Sequence, residues 1–213
     1  MKITIFGAAG AVGSRVVAEA LSRGHDVTAV VRNRAQFNKL PAGVTLGSGD
    51  AASVQDVTRL STGQDLVISA IRPPVGDEAQ LASLTQSILQ GVAQADVRVL
   101  VVGGAASLRV PGLGEKTVLS APNFLPEAVM AIARACFAQH EMCKADQQAD
   151  WAYLSPPSML RPGIRTGNYR LGSDELVVDK SGNSQISMED FAAVLIDEAE
   201  QPKHQRCRFT AAY

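Results

Sequence analysis

Near the start of the chain, Gly7-Ala-Ala-Gly10-Ala11-Val12-Gly13 spaces three glycines along a loop that follows the apolar run Ile3-Thr-Ile-Phe6. Glycine at such positions permits a tight strand-to-helix turn, close approach of backbone to a pyrophosphate, and close helix–strand packing. The helix start then offers free N–H groups to phosphate charge. Beyond the loop, Val12, Val16, Val17, Ala20 and Leu21 recur at helical spacing, Gly24 stands where a helix ends, and Asp26-Val-Thr-Ala-Val-Val31 reads as a second strand. Strand, loop, helix and strand therefore occur in register within 31 residues, the context that makes a glycine loop a dinucleotide site.

The end of the second strand selects the dinucleotide. An acidic residue there bonds a ribose 2′-hydroxyl, whereas arginine accommodates a 2′-phosphate. Here the strand runs into Val31-Arg32-Asn33-Arg34, with no Asp or Glu in reach. Guanidinium groups stack on adenine and pair with phosphate oxygens, so Arg32 and Arg34 imply NADP(H) in preference to NAD(H). Gly49-Asp50, after a third apolar run at Val44-Thr-Leu46, reads two ways: as a carboxylate accepting from the adenine amino group, or as a turn.

These groups need a scaffold. Further apolar runs at Leu66-Val-Ile-Ser69, Arg98-Val-Leu-Val-Val102 and Trp151-Ala-Tyr-Leu154 lack polar alternation, as strands covered on both faces do. Helix-like spacing over 80–95 and 127–148 fills the gaps between them, and Pro156-Pro157 ends the last run. The expectation is an α/β, Rossmann-type doubly wound parallel sheet. It forms a single NAD(P)-binding domain over 1–213, with a core at 1–157 and a small C-terminal, substrate-side add-on at 158–213. Within the add-on, Glu175-Leu-Val-Val-Asp179 reads as a strand leading into a turn at Ser181-Gly-Asn183. Ser187-Met-Glu-Asp190 reads as a near capping box opening a helix to about Glu200. In 213 residues, 46% of them hydrophobic, a full core needs no disulfide or metal staple. Twenty Lys+Arg against 21 Asp+Glu, without a basic block, argue against a nucleic-acid partner. No segment has the apolar length of a membrane span, and no signal peptide precedes the first strand. Cys136, Cys143 and Cys207 lack metal-type spacing and fit free thiols in a reducing compartment, so a cytoplasmic location is expected.

Taken in order, Gly7 to Gly13, Arg32, Gly49-Asp50, Val67-Ile-Ser-Ala70, Val101-Val-Gly-Gly-Ala-Ala-Ser107-Leu and Trp151-Ala-Tyr-Leu-Ser-Pro-Pro157 resemble an atypical short-chain dehydrogenase/reductase. The likeness is to the NAD(P)H-binding subgroup described as NADH-flavin reductases, related to biliverdin reductase B and NmrA-like proteins. Pro162-Gly-Ile-Arg-Thr-Gly-Asn-Tyr-Arg-Leu-Gly172 and Ile186-Ser-Met-Glu-Asp190 extend it over essentially the whole chain. The resemblance implies that Gly10, Ala11, Val12 and Gly13 hold the pyrophosphate, Arg32 the 2′-phosphate, and Asp50-Ala51 the adenine. It places Ala70-Ile71 and Gly103-Gly104 beside the ribose and nicotinamide, and Pro157-Ser158 at the carboxamide.

Most of the wider group works with Tyr-x-x-x-Lys and a Ser, the lysine lowering the tyrosine pKa. That motif is missing: Tyr153 and Tyr169 are followed four residues on by Pro157 and Ser173, and Tyr213 is the last residue. His140-x-x-x-Lys144 is the nearest echo and also reads as a solvated helix face with Glu141, while Ser107 stands displaced behind Gly103-Gly104-Ala105-Ala106. Neither makes an assigned catalytic acid. Cys136 and Cys143, seven apart, read as core thiols, and His25, His140 and His204 are too scattered for a metal. Hydride transfer to a flavin or quinone leaves an anion that solvent can protonate, so weak acid–base equipment favours a planar small-molecule acceptor, with flavin as substrate rather than tightly held cofactor. Ile71, Pro73, Pro74, Leu108, Val110 and Phe124 are candidates for an apolar cover, or ordinary loop packing. A non-catalytic NADP(H) sensor of NmrA type is the rival reading, a nucleotide-sugar epimerase or dehydratase the third. Oligomeric state is open.

Overall fold

The chain, described over all 213 residues in a computed structural model, builds its first strand from residues that alternate between two buried faces. In order it forms β1 (Lys2–Phe6), α1 (Ala11–Ser22), β2 (Asp26–Val31), β3 (Thr45–Ser48), α2 (Val54–Ser61), β4 (Leu66–Ser69) and α3 (Leu81–Ala95). There follow β5 (Val99–Val102), α4 (Met130–Ala145), β6 (Trp151–Ser155), β7 (Met159–Arg161), β8 (Arg170–Gly172), β9 (Gln185–Ser187), α5 (Met188–Glu200) and β10 (Cys207–Ala212). The main sheet has eight strands in the order β3-β2-β1-β4-β5-β6-β10-β8, all parallel except β8, which runs antiparallel to β10. β7 and β9 pair separately. The chain leaves β1 toward β2 on one side and returns to β4 on the other, and that reversal opens a crevice at the strands' carboxyl ends.

Side chains alternate across the sheet with the strand period of two. Ile3, Ile5, Leu66, Ile68, Leu100 and Leu154 face a core shared with α1 and α5. Their neighbours Phe6, Val67, Val99, Val101, Trp151 and Tyr153 face the opposite layer, where Val57 of α2 and Ile88, Leu89 and Val92 of α3 cover them. This two-sided burial explains why the strands read as unbroken apolar runs. Gly24 takes φ +77°, a left-handed conformation that stops α1 and turns the chain into β2.

Ser187 caps α5 as expected, its Oγ accepting the Asp190 N–H at 2.9 Å. Asp190 itself is fully buried and receives the Thr166 N–H, the Thr166 hydroxyl, the Gly167 N–H and the Tyr213 hydroxyl at 2.7–2.8 Å. A carboxylate with four donors thus ties the 162–168 turn to α5 and to the chain end.

Two features differ from the sequence reading. Residues 175–179 form no strand: the Leu176 N–H donates to the Arg109 carbonyl at 2.9 Å, and Leu176 is buried in a satellite cluster with Leu108, Val110 and Val118. The segment pairs with a loop instead of a sheet. The chain end, in contrast, supplies β10, which lies parallel to β6 and buries Phe209, Thr210, Ala211 and Ala212. No helix is long and apolar enough to cross a membrane.

Candidate functional site

A cavity of about 710 Å³ opens at the carboxyl ends of β1 to β6, within the size range of small-molecule sites. The glycine loop forms its floor. Gly7 has φ +77°, and a Cβ there would lie 2.5 Å from the Ala70 carbonyl oxygen, so only glycine lets the β1 turn meet the end of β4. Gly10, Ala11 and Val12 line the cavity; Gly13 does not, since its Cα faces the Gly7 carbonyl, and a Cβ there would collide with it. Gly13 therefore serves the close approach of α1 to the loop. Gly10 stands at the N-cap with no side chain capping α1 and no acidic residue in its first turn. The positive end of α1 is thus presented to the cavity without competition, which fits a pyrophosphate.

At the end of β2, Arg32 is exposed, lines the cavity and has no carboxylate partner. Arg34 does not line it. Asn33 accepts the Ala35 N–H at 2.9 Å and starts a 3₁₀ turn over Arg34–Lys39 that carries Arg34 aside, and Gln36 of that turn reaches the cavity instead. Asp50 and Ala51 line the same end, and the Asp50 carboxylate also accepts the Ala52 N–H at 3.0 Å, so it is both wall and turn. Ala70 and Ile71 after β4, Gly103 and Gly104 after β5, and Pro157 and Ser158 after β6 complete the expected lining.

The Gly103-Gly104 wall is held from behind. The Tyr153 hydroxyl accepts the Gly104 N–H at 3.1 Å and donates to Gln139 Oε1 at 3.0 Å, while Gln139 Nε2 donates to Thr85 Oγ1 at 3.1 Å. Tyr153 is fully buried, and burial keeps its phenol well above its ordinary pKa. It is a support, its one proton shared between Gln139 Oε1 at 3.0 Å and the Cys136 carbonyl at 3.2 Å. A Cβ on Gly104 would lie 2.5 Å from Cys136 Cβ, so glycine also lets α4 close on this wall.

Three expectations change here. Cys136 lines the cavity, partly exposed, with burial pushing its thiol up to about 11; only Cys143 is a core thiol. His140 is buried at 6% exposure, not on a solvated face, and its Nδ1 is 3.2 Å from Ser107 Oγ, which accepts from Arg208 Nη1 at 2.7 Å. Burial, then the Arg208 charge, push the imidazole down to about 4, so it is neutral near pH 7. Neither His140 nor Ser107 lines the cavity. Leu108, Val110 and Phe124 pack in the satellite cluster, while Ile71, Pro73 and Pro74 do line the cavity. Leu81, Leu84, Leu125, Val129 and Ile132 add to its apolar wall, with Arg72 and Gln80 at the same end. The sequence reading missed Leu81, Leu84 and Ile132 because helical spacing shows that a face is apolar, not that it borders a cavity, and it missed Leu125 because a loop residue has no periodicity to read. Among the residues of the chain no cluster of His, Cys, Asp and Glu could hold a metal.

Comparisons with known proteins agree with this geometry. Residues 7–202 match the family model described as NAD(P)H-binding. The uncharacterized protein YwnB of Bacillus subtilis (strain 168) is 34% identical over 215 residues, covering 99% of this chain and 97% of that protein. Among solved structures, a proposed epimerase from Bacteroides thetaiotaomicron is 40% identical with a TM-score of 0.88, covering 100% of this chain and 96% of that one. A proposed NADH-flavin reductase from Streptococcus pneumoniae TIGR4 is 31% identical with a TM-score of 0.89, covering 100% and 99%. With a glycine loop, a bare helix N-terminus and a crevice at the sheet's switch point, the chain belongs to the NAD(P)H-binding family.

Proposed function

We propose that the protein is an NADPH-dependent oxidoreductase that passes a hydride to a planar acceptor such as free flavin or a quinone. The observation that carries this reading is the acceptor end of the cavity: Leu81, Leu84, Leu125, Val129 and Ile132 form an apolar wall, and no acidic or histidine side chain reaches it. When bound, the nicotinamide supplies the hydride, and a solvent proton completes the two-electron reduction. The chain's own residues bind, orient and exclude water. Gly10, Ala11, Val12 and Gly13 form or support the phosphate cradle, Asp50 and Ala51 border the adenine, and Ala70, Ile71, Gly103, Gly104, Pro157 and Ser158 border the ribose and nicotinamide. Arg32 favours the 2′-phosphate; Arg34 stands aside from the cavity and is a weaker candidate.

The name of the Bacteroides relative suggests epimerisation, which requires a positioned acid or base. Tyr153 is enclosed behind Gly104, His140 lies off the cavity, the Asp50 carboxylate stands in the turn after β3, and burial holds the Cys136 thiol up to about 11, so no carboxylate or imidazole reaches the acceptor end. The same observation favours the one serious rival, a non-catalytic NADP(H) sensor. We read residues 1–213 as one NAD(P)-binding domain in which the part after 157 closes the substrate side. The free thiols Cys136, Cys143 and Cys207 support a reducing, cytoplasmic setting.

The experiment is acceptor-dependent oxidation of NADPH, followed at the nicotinamide absorbance with riboflavin, FMN and menadione. Turnover with a planar acceptor is expected. Tight NADPH binding without turnover on any of them would replace the reductase by the sensor.

A further inference from the structure

Arg72 follows Ile71 directly beyond β4 and lines the cavity, yet forms no ion pair and no side-chain hydrogen bond. Only two other charged residues line the cavity, Arg32 and Asp50, and both stand at the ends of β2 and β3. Arg72 stands at the opposite end, where its positive charge is felt by Cys136 on the α4 wall beside Gly104. The remaining polar side chains at that end are Gln80 and Gln139, and the Gln139 amide is occupied by Tyr153 and Thr85. The acidic residues of the following segment, Asp77 and Glu78, do not line the cavity and form no ion pair with Arg72; Glu78 accepts the Gly76 N–H at 2.9 Å.

A guanidinium at the rim of an apolar slot, with no carboxylate to neutralise it, is a receptor for an anion. Its fork of donors matches a phosphate, carboxylate or sulfonate, and such charge-assisted bonds are about twice as strong as neutral ones. Resting on the reductase reading of this site, we propose that the acceptor is a planar apolar molecule bearing an anionic group, and that Arg72 binds that group. The slot takes the ring system and Arg72 sets its direction of entry. The slot therefore discriminates against a cationic acceptor, and against a neutral one of the same shape.

Two pairs of probes differ only in the anion: FMN against riboflavin, and 1,4-naphthoquinone-2-sulfonate against 1,4-naphthoquinone. Binding is measured by fluorescence quenching or calorimetry on protein saturated with NADP+, so turnover is not required. The wild-type protein is expected to bind the anionic member of each pair about tenfold more tightly, a difference of about 1.4 kcal/mol. Arg72→Gln is expected to erase that gap by weakening only the anionic member, with NADPH affinity held within about twofold; unchanged thermal unfolding verifies that the exposed substitution leaves the fold intact. Equal binding of both members by the wild-type protein would overturn the proposal. So would an Arg72→Gln variant that keeps the preference but loses NADPH affinity, because Arg72 would then grip the dinucleotide. Anion-selective binding without NADPH oxidation would contradict the reductase reading and leave Arg72 assigned. Oxidation of NADPH by both members of a pair at equal kcat/KM, with equal affinity, would do the reverse.

Discussion

Arg32 and His140 are two basic residues whose surroundings give them opposite fates. Arg32 is exposed at the end of β2 with no carboxylate against it, so its charge is available to a ligand. Arg32→Glu is expected to weaken NADPH by about tenfold to a hundredfold and NADH far less, since it replaces charge-assisted bonds with repulsion at the 2′-phosphate. Fluorescence titration of both cofactors checks it, and equal weakening would undo the assignment. His140 is enclosed, and burial holds its pKa at about 4, below the unfolded value near 6.5. Between those values the unfolded chain binds more protons than the folded one, so stability falls as pH drops from about 6.5 toward 4. His140→Gln is expected to remove this contribution, on the order of 2 kcal/mol at pH 4, from the urea-unfolding profile. A profile of unchanged slope would show that His140 is not the group responsible. Sequence spacing paired His140 with Lys144 but gave no sign of its burial, because Ser107, which meets it, and Arg208, which donates to Ser107, lie far away along the chain.

At the scale of elements, the glycine loop and α1 were the most legible part, since a turn, a phosphate cradle and a helix start must be adjacent in sequence. The 162–168 turn was legible only as turn chemistry. What holds it is Asp190, seen in the sequence as a capping partner and found in the structure as the acceptor for Thr166, Gly167 and Tyr213. Asp190→Ala leaves those donors unpaired and breaks the tie between the turn, α5 and the chain end. A loss of about 2–4 kcal/mol is expected in chemical unfolding, with faster amide exchange at Thr166 and Gly167. Unchanged exchange there would mean that the turn is held by something else. The predicted strand at 175–179 failed for a related reason: apolar Leu-Val-Val is equally suited to packing under a loop, and Arg109 offers it a backbone partner outside the sheet.

Across the whole molecule, the first six strands could be located by reading the chain, because each carries a short apolar run. β10 could not. Cys-Arg-Phe-Thr-Ala-Ala carries a weak apolar signal, and its place beside β6 is set by contacts between distant parts of the chain. The last residues nevertheless complete the core: Phe209 is 1% exposed and stacks on His204 with ring centroids 4.1 Å apart. Phe209→Ala is expected to cost about 3–5 kcal/mol in urea unfolding, the range for emptying a buried aromatic site. A loss below about 1 kcal/mol would show the chain end to be a dispensable cover. The cavity depends on this scale too, since its acceptor end is assembled from α3, α4 and the loops after β4 and β5, which only the folded sheet brings together. The account's central claim is that a hydride leaves NADPH in that cavity for a planar acceptor. Rapid mixing of NADPH-loaded protein with FMN, using NADPH carrying hydrogen or deuterium at the transferred position, tests it most directly. Acceptor-dependent decay of the nicotinamide absorbance, slowed by deuterium, is expected. Bound NADPH that persists unchanged after mixing with FMN and with menadione would contradict it.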